Sequence, residues 1–174
     1  MKKIILKKNE KKKLKLLIKN NQDFLISLGE NSELNLMTIF NSDKKSLKIN
    51  FNINQKENSK LDMINLQKSS TMTDNDIIRE AKLENNSNLI LFDLNFGGKI
   101  INSNANVNLN GENSKFEHFG VFVGNHEQKF NLEVNAFHNA KNTYSNMLTK
   151  GALSDKSKSF YKGLIKINKN ASNS

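Results

Sequence analysis

Four segments of the chain carry one pattern at nearly constant spacing: ENSELNL from Glu30, ENSKLDM from Glu57, NNSNLIL from Asn85 and ENSKFEH from Glu112. Aligned on the apolar residue after the small polar turn, they place Leu34, Leu61, Leu89 and Phe116 at intervals of 27, 28 and 27 residues. A fixed period of this size marks an architecture in which each repeat buries its apolar face against its neighbours. Period-two alternation runs through LKINFNIN (47–54), NANVNLN (104–110), KFNLEVNAF (129–137) and GLIKIN (163–168), which is the strand signature. Each repeat therefore holds about two strands, and the chain is expected to be an all-β solenoid with coils of about 27 residues, one domain over 1–174.

The corners of such a solenoid need residues that tolerate left-handed backbone. Roughly one residue in six is Asn, a poor strand residue in general but one that accepts that conformation. Gly97-Gly98, Gly111, Gly120, Gly124, Gly151 and Gly163 are read as corner positions where a side chain does not fit. One segment reads otherwise: TMTDNDIIREAKL (71–83) offers Thr73 or Asp74 as a cap, and a single helical turn through Glu80 is expected as a corner insertion.

No Cys is present, so the chain has no disulfide framework, no thiolate nucleophile and no sulfur of its own for an iron–sulfur cluster. The opening MKKIILKKNEKKKLKLL has only Ile4-Ile5-Leu6 as an apolar run, too short for a signal-peptide core, and no stretch approaches a membrane span. A cytoplasmic, soluble chain is expected, with no membrane partner. The net charge is +10, but the first twenty residues hold nine Lys and one Glu, leaving +2 for the rest. With no interleaved aromatic or Arg, these lysines read better as a solvated edge strand than as a nucleic-acid platform.

Few residues suggest chemistry. Glu117-His118 and His126-Glu127 are two Glu-His pairs, read as surface groups because their spacing does not converge on one metal. His138 ends an alternating strand, on the face opposite Phe137, and reads as a hydrogen-bonded structural histidine at a corner. The sequence NFGGK lacks the spacing of a phosphate-binding loop.

From Gly97 onward an ordered series appears: Gly97-Gly98, Leu109-Asn110-Gly111-Glu112, Gly120, Gln128, His138, Asn142-Thr143, Ser145, Lys150-Gly151, Asp155, Phe160 and Gly163-Leu164-Ile165. This series resembles the core of the SufB/SufD family, the scaffold proteins of the SUF iron–sulfur cluster assembly system. The resemblance implies a right-handed parallel β-helix. It implies a noncatalytic scaffold that pairs with a SufB-like paralogue and is bound by a SufC-like ATPase. Gly111, Gly120, Gln128, His138, Lys150, Gly151, Phe160 and Gly163 become structural or interface positions, with Lys150-Gly151 and Lys162-Gly163 a paired signature on consecutive strands. The family continues past the position of Ala171 with further coils and a helical region, which this sequence does not contain. That region carries the cluster-related cysteine of SufB and the corresponding histidine of SufD. The chain is therefore expected to be SufD-like, a truncated core holding no cofactor alone, with an iron–sulfur cluster only transiently at a shared interface. The alternative is a self-associating solenoid, a homodimer in its simplest form; a basic nucleic-acid module is less favoured.

Overall fold

The Asn-Ser corners turn the chain from one strand into the next. In the computed structural model, which describes residues 1–174, Asn31, Asn58, Asn86 and Asn113 take φ of 56°, 58°, 55° and 59°. This is the left-handed region that Asn visits more readily than other side chains. The Ser that follows closes the corner. Ser32 Oγ donates to Gly29 O at 2.7 Å, and Ser59, Ser87 and Ser114 repeat that bond on Lys56, Glu84 and Gly111. The Asn backbone N–H then reaches the next coil: Asn31, Asn58 and Asn86 donate to Glu57 O, Asn85 O and Glu112 O at 3.0, 2.9 and 2.9 Å. One Asn-Ser pair thus makes both the turn and a bond between coils.

Between corners the strands alternate between two parallel sheets. β1 (Lys2–Leu6), β3 (Gln22–Leu28), β5 (Ser46–Gln55), β7 (Asp74–Leu83), β9 (Ile100–Leu109), β11 (Lys129–His138) and β13 (Lys158–Ile167) form a seven-stranded sheet. β2 (Lys11–Ile18), β4 (Glu33–Phe40), β6 (Lys60–Gln67), β8 (Asn88–Asn95), β10 (Lys115–Gly124) and β12 (Tyr144–Leu153) form a six-stranded one. The result is an all-β parallel solenoid. Leu34, Leu61, Leu89 and Phe116 are direct register partners in four successive coils, and they belong to one core cluster of 25 buried residues. Phe24 and Phe51 stack in the same way at 4.9 Å between ring centroids.

The helical turn expected within 71–83 is absent. Asp74–Leu83 is strand β7, paired along its full length with β5 and β9, and only Thr71-Met72 form the corner. Two flanking strands supply a complete ladder of hydrogen bonds, which outweighs a weak local helical preference. Thr73 does not cap a helix; its Oγ1 donates to Ser42 O at 3.1 Å. No helix of the chain is long and apolar enough to cross a membrane.

The two outer faces differ. On the seven-stranded sheet, amides chain across coils: Asn131 donates to Asn102 and Asn102 to Asp76 at 2.8 and 2.7 Å, and Asn135 to Asn106 and Asn106 to Glu80 at 2.8 and 2.7 Å. On the six-stranded sheet, two neighbouring outward columns are apolar: Met37–Ile64–Phe92–Phe119–Leu148 and Leu17–Ile39–Leu66–Leu94–Val121. The lysine-rich start supplies the edge strands β1 and β2, where Lys2 and Lys12 stand at inward positions over Phe24 and Leu34. Charges so placed oppose edge-to-edge pairing.

The corner geometry makes a direct prediction. Asn86→Ala should lower stability by roughly 1–2 kcal/mol through left-handed strain, whereas Asn86→Gly should stay close to the parent in urea denaturation. Equal losses for both variants would contradict the assignment.

Candidate functional site

The fold brings together residues four places after each repeat's apolar anchor. Thr38, Asn65, Asp93 and Gly120 follow Leu34, Leu61, Leu89 and Phe116 at that offset, face inward with them, and are register partners in sequence, with Thr149 next in line. Thr38 Oγ1 donates to Asn65 Oδ1 at 2.6 Å, and Asn65 Nδ2 donates to Asp93 Oδ1 at 2.8 Å. From the opposite sheet, Arg79 Nη2 donates to Asp93 Oδ2 at 2.9 Å and to Ser103 Oγ at 2.5 Å. His118, in the adjacent inward column, sets Nε2 3.1 Å from Asp93 Oδ2.

This is a charged cluster inside the solenoid. Arg79, the chain's one Arg, is 2% exposed, Asp93 4% and His118 3%. Burial alone would push the Asp93 carboxyl up; the Arg79 guanidinium, the His118 contact and the Asn65 hydrogen bond overcome that and hold it well below the usual carboxylate range. Against a carboxylate, His118 Nε2 is the donor, which leaves Nδ1 without a protein partner, as are Arg79 Nε and Thr149 Oγ1. A cavity of about 10 Å³ lies among Asp93, Ser103, His118, Gly120, Thr149 and Tyr161, about what one water needs. Gly120 leaves room at this point of the column, since a Cβ there would come within 2.8 Å of Thr149 Oγ1 and 3.0 Å of His118 Cε1.

The sequence reading of His118 as a surface group is therefore corrected. Phe116 is inward, so the residue two places on shares its face. His126 does lie on the surface, in a left-handed corner, with Nδ1 3.9 Å from Asp155. Arg79 and Asp93 were missed, although the parity of β7 and β8 places both inward with Ile77 and Leu89.

The glycines divide. Gly111 is a true corner: a Cβ there would run into the backbone of Glu84 and Asn85 one coil below. Gly120, Gly151 and Gly163 are not corners but inward strand positions, and Gly124 ends β10. Gly151 is the register partner of Phe122, whose ring occupies the space a Cβ would need. Lys150 and Lys162 point outward beside these glycines; Lys162 pairs with Glu133 at 3.0 Å. Phe160 is 62% exposed on β13.

Gln128 and His138 pin corners. Gln128 Nε2 donates to Gly98 O at 2.7 Å while its Oε1 accepts from Asn125 N at 3.0 Å. His138, buried, places Nδ1 2.7 Å from Thr143 Oγ1 and Nε2 2.8 Å from Ser145 Oγ, and burial lowers its pKa. No three His, Asp or Glu groups converge as a metal site.

A family model described as the SufBD core domain of SUF system FeS cluster assembly matches residues 12–174. The chain belongs to this SufBD core family. No curated protein matches the chain at a significant level. The SufBD core takes part in iron–sulfur cluster assembly by the SUF system, and its matched span includes the entire interior cluster.

In this SufBD core, Asp93→Asn should cost about 3–5 kcal/mol, because Arg79 is left buried without its countercharge. The folded Asp93 pKa lies below the unfolded value of about 3.9, so the unfolded state binds more protons between the two and stability rises with pH there. The Asp93 contribution is fully present above about pH 4 and is lost as pH falls through the folded pKa. Urea unfolding across that range should show a shallower pH dependence in Asp93→Asn; an unchanged slope would contradict the charge assignment.

Proposed function

We propose that this chain is a noncatalytic, SufD-like scaffold in SUF cluster assembly, pairing with a SufB-like subunit and acting with a SufC-like ATPase. The observation that carries this reading is the SufBD core match over residues 12–174, and the pairing is assigned to the β12–β13 coil. Its inward positions Tyr161, Ile165 and Ile167 are exposed by 39%, 53% and 53%. Unlike β1 and β2, they include no charge that would oppose pairing. A second parallel solenoid laid on this coil would cover the apolar positions and satisfy the free strand edges. A chain without cysteine needs a partner to supply thiolate ligands, so a cluster would sit transiently at the shared interface as cargo.

Self-association through the same coil is the second reading, favoured by the same exposed residues. Co-purification of the tagged chain with SufB-like and SufC-like proteins from its own cell extract separates the two. Near-stoichiometric recovery, abolished by Ile165→Lys, supports the scaffold. Recovery of a homodimer alone would overturn it in favour of self-association.

A further inference from the structure

The outer face of the six-stranded sheet carries the two apolar columns described above. Asn is the chain's common polar residue and recurs on the outer face of the other sheet, yet none of these ten outward positions is Asn. Compositional bias therefore does not produce this face. Ile64, Phe92, Val121 and Leu148 are exposed by 38%, 36%, 37% and 47%, and a contiguous apolar surface of this kind marks an interaction site.

Its shape restricts the occupant. The middle of the sheet has its backbone paired on both sides, so no strand can be added there, and a covering segment must satisfy its own backbone groups. A helix does so. The columns lie about 7 Å apart along the strands, and together they span the six strands from β2 to β12, five strand spacings or about 24 Å. That is one helical stripe about 16 residues long.

Its charge restricts the occupant further. Around the columns, the same face presents Lys13, Lys15, Lys60, Lys115 and Lys150 against Asp62 and Glu117, while Lys11 is already paired with Glu33 at 3.0 Å. A second copy would bring these lysines against themselves. We propose that this face docks an acidic amphipathic helix of about 16 residues supplied by a partner chain. The face shares only the edge strand β12 with the coil of the pairing proposed above, and Leu94 on β8 lies two strands from that edge, so its substitution tests this inference apart from that pairing.

The test uses a fluorescein-labelled helical peptide of about 16 residues, with Leu at i, i+3, i+4 and i+7 spacing and Glu elsewhere. It is titrated into the full chain by anisotropy. Saturable binding is expected, weakened at least about tenfold by Leu94→Glu and separately by Lys150→Glu, with circular dichroism unchanged in both. Three results would overturn the proposal: equal binding of a scrambled peptide, binding indifferent to both substitutions, or no peptide binding. In the last case, Leu94-dependent binding to phosphatidylcholine–phosphatidylglycerol vesicles would assign the face to a lipid surface, and Leu94-dependent dimerisation would assign it to a second copy.

Discussion

Residue-on-residue stacking between successive coils is the constraint from which the other features follow. In a parallel in-register solenoid, each inward side chain packs on its counterpart one period away, so a column accepts only residues that suit their neighbours above and below. Apolar columns such as Leu34–Leu61–Leu89–Phe116 satisfy this by size alone. A polar residue satisfies it only when the adjacent coils offer partners, and one charge inside commits several coils at once. Asp93 draws Asn65 from the coil before, His118 from the coil after, and Arg79 from across the interior.

That commitment explains residues with no direct chemistry. Gly120 stands in the column so that His118 and Thr149 fit beside it, and Gly151 yields its space to the Phe122 ring. A buried ion pair of this kind contributes little net stability compared with apolar packing, but breaking one side of it is costly. The same stacking gives the molecule its directional surfaces. Asparagine ladders cover one sheet, apolar columns cover the other, lysines stand at the first coil, and the last coil leaves its inward positions uncovered.

Much of this was legible in the sequence, and for definite reasons. The repeated Asn-Ser pair carries its own turn chemistry, so the period and these corners could be read directly, and the ordered glycine, Lys-Gly and histidine series pointed to the family. The interior cluster was equally encoded, since counting by twos from Phe116 and Leu89 places His118 and Asp93 inside. What the linear chain does not announce is which polar residues meet across the interior: Arg79 and Asp93 are joined only once two sheets face each other. The segment 71–83 misled because its caps and acidic residues suit a helix locally, while the decisive hydrogen bonds come from strands about a coil away on either side. The roles of Gly120, Gly151 and Gly163 were obscured because glycine signals a corner and a packing gap equally.

The absence of native cysteine allows the register itself to be measured. Asp62 and Ile90 are direct outward partners on β6 and β8, at about the 4.8 Å spacing of adjacent strands, within disulfide reach. The double variant Asp62→Cys/Ile90→Cys should form an intramolecular disulfide under mild oxidation, whereas Asp62→Cys/Phe92→Cys, displaced by two residues, should remain largely reduced. Preferential cross-linking of the displaced pair would shift the register and, with it, dissolve the column that joins Asn65, Asp93 and Gly120.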